Sequence, residues 1–286
     1  MGTSTSSSGP GSGVPFDPPW LDQIGGVGGD AEGDAQAPAD DGEEAGHSDN
    51  PPTPNTEPAV GIAPARRFAN ARRELGAFAR SGSREALGKA IGHYSRTGMG
   101  GARNTAARLR TSTRSAAGLI SLLQTARDGS DPRINQWVSS LIARNPSAQD
   151  VINEVIQQVT TSGGSLEEES CKDSMAQAMS ELMEIQPDID LLNMTDGDIW
   201  TLVEFFLSHE ACSRLQLDIG QLFESSKLAP REVVARINNM RDYLKAELSA
   251  QMSSLRQANG NPSSRQLESM MQQALQNTFS VYEEAL

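Results

Sequence analysis

From Arg66 onward, apolar residues recur at steps of three and four, the spacing that lines them up on one face of an α-helix. Phe68, Ala71, Leu75 and Phe78 predict a helix over Arg66–Arg80, and Leu87, Ala90, Ile91 and Tyr94 a second over Ser83–Arg96. The run Gly98-Met99-Gly100-Gly101 predicts a turn, and a third helix is expected from Ala102 to Ala126, ending in Leu119, Ile120, Leu122 and Leu123. Ile134, Trp137, Val138, Leu141 and Ile142 then form one short apolar face, which Asn145-Pro146 stops.

Start signals agree with this periodicity further along. Ser147 with Asp150 forms a capping-box-like start ahead of Val151, Ile152, Val155, Ile156 and Val159. Ser165 with Glu168 opens the next helix, with Cys171, Met175, Ala178, Leu182 and Ile185 on one side. Thr195 with Asp198 begins another, carrying Ile199, Trp200, Val203 and Phe206. Pro230 sits where a first helical turn tolerates it, and Val233, Ile237, Met240, Leu244, Leu248, Met252 and Leu255 follow at helical steps. That helix is expected to run about 26 residues, or roughly 39 Å. Ser263 and Gln266 open a final helix through Leu267, Met270, Ala274, Leu275, Thr278, Val281 and Tyr282, so the chain is expected to close on an antiparallel helical hairpin. No run of alternating strands and no tandem repeat is visible. The predicted fold class is all-α, a multi-helix, bundle-like body behind a long disordered N-terminal tail.

Composition explains the tail. Residues 1–65 hold 10 of the 15 prolines and 12 of the 26 glycines, no Lys or Arg, and 11 Asp and Glu. Such a segment cannot bury enough apolar surface to offset its ordering entropy. Its one apolar cluster, Phe16, Trp20 and Leu21, reads either as a docking motif that folds on a partner or as a stray apolar patch. Charge is blocked along the chain: −11 over 1–65, +10 over 66–114 and −12 over 115–286. The predicted organisation is therefore an acidic tail (1–65), a basic helical segment (66–128) and an acidic helical domain (129–286).

Within the basic segment, Arg66, Arg67, Arg72, Arg73, Lys89, His93, Tyr94, Arg96, Arg103, Arg108 and Arg110 are candidate contacts to nucleic-acid phosphates. The same charges would equally suit an acidic partner or this protein's own tail.

Catalytic and metal chemistry find little support. His209 and Cys212 lie three apart, with Cys171 a conceivable third ligand, but there is no CxxC or HExxH and both cysteines fit apolar faces. Asp188, Asp190, Asn193, Asp196 and Asp198 lack the glycine a calcium loop requires at its sixth position, which here is Asn193, and helix capping suits them better. No GxSxG, Walker A or dinucleotide fingerprint occurs, and no strand leads into Gly98–Gly101. The chain reads as a non-enzyme without a cofactor. Two cysteines, no apolar run of about 18 residues and no secretory signal point to the cytoplasm and away from a membrane. Removal of Met1 would expose Gly2 as an unhindered amine at the end of a long flexible tail; the start also fits the short N-myristoylation pattern.

Two stretches resemble the QatB family of the bacterial Qat anti-phage defence systems. One is Met1 to Gly11 (MGTSTSSSGPG) with the following Pro19-Trp20-Leu21-Asp22; the other is Ala86 to Asn104 (ALGKAIGHYSRTGMGGARN). The resemblance implies a role in phage defence beside an ATPase, a QueC-like enzyme and a TatD-like nuclease. QueC-type enzymes activate a 7-deazaguanine carboxylate with ATP and capture it with an amine. The resemblance therefore implies Gly2 as a protein substrate for the QueC-like partner, with the helical body as a partner scaffold. The alternative is an adaptor that uses 66–114 to present phage DNA or RNA to the nuclease.

Overall fold

The computed structural model describes residues 66–160, 165–224, 228–258 and 263–286. The tail of 1–65, with Gly2, Phe16, Trp20 and Leu21, lies outside the described residues. Among the described residues all regular structure is helical: α1 (Ala69–Ser81), α2 (Arg84–His93), a π-helical turn (Tyr94–Met99), α3 (Ala102–Arg108), α4 (Arg110–Asp128), α5 (Pro132–Ile142), α6 (Ala148–Val159), α7 (Leu166–Ile185), α8 (Asp196–Ile219), the single turn α9 (Gln221–Glu224), α10 (Pro230–Ala258) and α11 (Ser264–Glu284). None is long and apolar enough to cross a membrane.

Local chemistry sets the helix starts. Ser147–Asp150, Ser165–Glu168 and Ser263–Gln266 all form reciprocal capping boxes, which satisfy N–H groups that the first turn leaves without partners. Asp131 and Thr195 cap α5 and α8 through their side chains. At the other end, Gly82 and Gly129 close α1 and α4 in the left-handed conformation, where a Cβ would be strained.

Phe68–Leu286 forms one compact unit. Its axis is α8, whose buried residues run all the way round: Ile199, Leu202, Val203, Phe206 and Leu215 together with Ser208, His209, Glu210 and Arg214. A helix buried on every side must be wrapped by others, and α7, α10 and α4 pack around it. On the far side α11 packs against α10, α2, α3 and α4, and α1 pairs with α2. Near the end of α11, the Tyr282 hydroxyl donates to the Tyr243 carbonyl in mid-α10 at 3.1 Å, so these two long helices run antiparallel. The basic helices α1–α4 and the helices of the remaining, net acidic stretch thus share one core.

Two local expectations are corrected. The helix expected over Ala102–Ala126 is two, broken at Leu109, which is 2 % exposed and adopts φ −94°, ψ 18°. Its N–H turns to the Ala106 carbonyl, a tighter i→i−3 bond that interrupts the α ladder. The helix expected over Ser83–Arg96 ends at His93, and a widened π turn follows through Gly98 into the stretch expected to be a loop. That turn swings Tyr94 and Ser95 inward and seats Gly98 against the Phe68 ring, with no room for a Cβ. The short apolar face of α5 forms as expected: Leu141 is buried, Trp137 and Val138 pack part-buried against the core, and Ile142 is 59 % exposed.

At Gly92, α2 packs directly against the backbone of α11. A Cβ there would collide with the Tyr282 carbonyl oxygen. Gly-to-Ala in a helix interior normally stabilises by about 0.5–1 kcal/mol. Gly92→Ala is expected to destabilise by about 1–3 kcal/mol instead, because two packed helices must separate. Gly76→Ala in α1, where a Cβ meets only the Arg80 guanidinium at 3.5 Å, is expected to show the ordinary gain. Urea unfolding of the two variants side by side reads this difference in sign, and a stabilised Gly92→Ala would refute the close contact.

Candidate interaction surface

The basic residues singled out from the sequence separate into two groups. Arg72, Tyr94 and Arg108 converge on Asp218 near the end of α8. The Tyr94 hydroxyl donates to Asp218 Oδ2 at 2.8 Å, Arg108 Nη2 lies 3.7 Å from Oδ1, and Arg72 Nη2 donates to the Asp218 carbonyl at 3.1 Å. Tyr94 is 2 % exposed and its ring stacks on Phe68 with centroids 5.5 Å apart. Burial, reinforced by the Asp218 carboxylate, pushes its phenol well above the usual value. These three side chains tie α1, the π turn and α3 to α8. Asp218 itself escaped sequence reasoning, since a lone carboxylate at the end of an acidic helix carries no signal for a partner more than 100 residues away.

The other basic residues face outward. Arg66, Arg96, Arg103 and Arg110 are exposed, as is Arg114, while Arg67 is half-buried. Arg73 pairs with Glu74 at 2.9 Å and Lys89 with Glu85 at 2.6 Å, both local surface pairs of the kind that adds little stability. His93 is half-buried, and burial holds its pKa below the usual 6.5. From Ala86 to Arg127 the chain runs 42 residues without one Asp or Glu, while carrying seven Lys and Arg. In a chain of net charge −13 that is a sharp local reversal.

Polar chemistry in the core is consumed by packing. Glu210, fully buried, accepts from Arg214 Nε at 3.2 Å and from the Ser170 hydroxyl at 3.1 Å, and Arg214 Nη1 lies 3.5 Å from Glu167. Burial raises the Glu210 carboxyl above its usual range despite the guanidinium. Glu181 of α7 receives His209 Nε2 of α8 and Lys245 Nζ of α10, each at 2.8 Å. Burial alone would raise the Glu181 carboxyl, yet the hydrogen bonds from Lys245 and His209 hold it below 4.5. The candidate metal ligands are taken up similarly. His209 is engaged by Glu181, Cys171 lies 3.5 Å from the Ser112 hydroxyl, and the Cys212 sulfur accepts from Gln216 at 3.3 Å. Burial pushes the Cys171 and Cys212 thiols up to about 12 and about 11. Among the described residues no group of three or more His, Cys, Asp or Glu is placed to hold a metal ion. In the acidic run, Asp190 accepts from the Leu192 N–H, Asp196 pairs with Arg127 at 2.8 Å and Asp198 accepts from Thr195.

No curated protein and no solved structure matches this chain. A family model described as "Qat anti-phage system associated protein QatB" matches residues 100–282. The matched span begins in the glycine turn and runs from α3 into the last turn of α11. It overlaps the resemblance noted in the sequence only at Gly100–Asn104, so the two rest on largely separate residues.

Proposed function

The chain belongs to the QatB family, a component of the Qat anti-phage system, and on that premise we propose that it serves defence without catalysis of its own. Its helical body is a scaffold for other components of the system, namely the ATPase, the QueC-like enzyme and the TatD-like nuclease, in the cytoplasm. Its tail presents Gly2 as the protein substrate of the QueC-like partner.

The chemistry needs only an amine. The partner would activate a 7-deazaguanine carboxylate as its adenylate, releasing pyrophosphate from ATP. The Gly2 nitrogen attacks that carbonyl, an amide bond forms, AMP leaves and the nitrogen loses its proton to a base. An α-amino group has a pKa of about 7.7–8.0, so a useful fraction is unprotonated near neutral pH. Glycine adds no side-chain hindrance, and about sixty residues rich in Gly, Pro and Ser separate Gly2 from the helical body, enough chain to reach a distant active site. Supporting the non-catalytic reading is the fate of the body's own nucleophiles and bases: both thiols are buried and protonated, and His209 is bound to Glu181.

Intact mass of the protein purified from bacteria, with and without the QueC-like neighbour, tests this reading. A neighbour-dependent gain confined to the peptide that begins at Gly2 is expected. Gly2→Pro is expected to abolish both the gain and phage protection; full protection by that variant would sink the proposal.

A further inference from the structure

The acid-free segment carries a bare arginine stripe that the Gly2 reading leaves unused. On α3 and α4 the positions 103, 107, 110, 114, 118 and 121 are all exposed, at steps of three and four, while Ala102, Thr105, Ala106, Leu109, Ser112 and Thr113 face the core. Arg103 on α3 and Arg110 and Arg114, one turn apart on α4, are therefore all exposed close to the break at Leu109, with the small Ala107 between them. None of the three has a carboxylate within ion-pair distance among the described residues, in contrast to Arg127 and Arg108 of the same segment. At 1.5 Å rise per residue Arg110 and Arg114 stand about 6 Å apart along α4.

We propose that this stripe binds the phosphate backbone of duplex DNA without reading its sequence. Guanidinium groups take phosphate oxygens in a bidentate fork, which an ammonium cannot. The small Ala107 between them lets a backbone approach closely, and the missing carboxylates remove local repulsion. Single strands are held by exposed aromatic rings on which bases stack; here Tyr94, the segment's one tyrosine, phenylalanine or tryptophan, is buried against Phe68. Adenine edges are read by side-chain amides, and both amides of the segment are bonded within the fold: Asn104 to the Gly100 carbonyl at 3.1 Å and Gln124 to Asp196 at 3.1 Å. An arginine can also fork onto guanine in the major groove, so equal affinity for duplexes with and without G·C pairs is part of the test. What remains is fixed positive charge in a row, which suits a duplex backbone. This reading stands independently of Gly2 and of any partner enzyme.

Fluorescence anisotropy of the full chain against a labelled duplex of about 20 base pairs, from about 50 to 200 mM salt, decides it. Each phosphate contact contributes about 0.9 to the slope of log K against log salt, so three contacts predict a slope near −3. The triple variant Arg103→Glu/Arg110→Glu/Arg114→Glu is expected to lose about tenfold or more in affinity and most of that slope. The corresponding triple Gln variant, with unchanged circular dichroism, should fall between. Absence of salt-sensitive duplex binding, or undiminished binding by the triple variant, overturns the proposal. So does tighter binding of the matching single strand, and so does equal binding of poly-glutamate, which would mark the stripe as a surface for acidic protein.

Discussion

Replacing Arg214 by methionine is expected to destabilise the protein by about 3–5 kcal/mol at neutral pH, the largest effect of any single polar substitution in the core. Glu210 lies one helical turn earlier on α8 and is fully buried, so the loss of the guanidinium strands a carboxylate in the interior. The Ser170 hydroxyl and the remote solvent cannot replace a full positive charge. Burial already holds the Glu210 carboxyl above its ordinary 4.5, so across the window above 4.5 the folded chain binds more protons than the unfolded one. Stability contributed at this site therefore falls as pH rises through that window. Removing Arg214 raises the folded-state value further and widens the window upward. The gap between variant and parent is expected to shrink as pH is lowered below the parent's folded-state value, where Glu210 is neutral in both folded proteins. The double variant Glu210→Leu/Arg214→Met is expected to recover much of the loss, since well-packed apolar pairs often match a buried ion pair. Denaturant midpoints at two pH values read all of this; a pH-independent gap would mean that Arg214 acts through packing alone.

Asp218→Ala is expected to cost about 3 kcal/mol. The substitution takes the acceptor from the buried Tyr94 hydroxyl and the nearby carboxylate from Arg108, whose side chain is 11 % exposed. It leaves the helix α8 itself intact, because the Arg72 bond goes to the backbone carbonyl, which alanine keeps. The damage is therefore confined to the seam between α8 and the segment from α1 to α3. Hydrogen exchange should show faster opening of α2, the π turn and α3 while α7 and the middle of α8 stay protected. A Tyr94→Phe variant is expected to lose less, about 1 kcal/mol, because it removes donor and need for an acceptor together. Equal losses in Asp218→Ala and Tyr94→Phe would place the whole effect in that one hydrogen bond.

Most helix positions were legible in the chain because their causes are local. Ser147, Ser165 and Ser263 cap within their own first turns, and the stripes of α6, α7, α10 and α11 repeat at helical steps. The failures have one origin, which is that a distant residue made the local decision. Leu109 breaks its helix while buried in the core, and Tyr94 turns inward to an aspartate on α8. For the same reason a basic, aromatic-containing segment looked uniform in one dimension, although Arg72, Tyr94 and Arg108 are structural and Arg103, Arg110 and Arg114 are exposed.

The sequence by itself determined the helical class, the capped starts, the antiparallel pairing of the last two helices and the blocked charge, since each depends on spacing and composition within a few turns. The tertiary structure alone decided which charges are free. A guanidinium is bound or bare according to whether a carboxylate more than 100 residues away arrives beside it, and the Coulomb energy of that meeting depends on distance and burial, neither of which the order of residues along a chain contains.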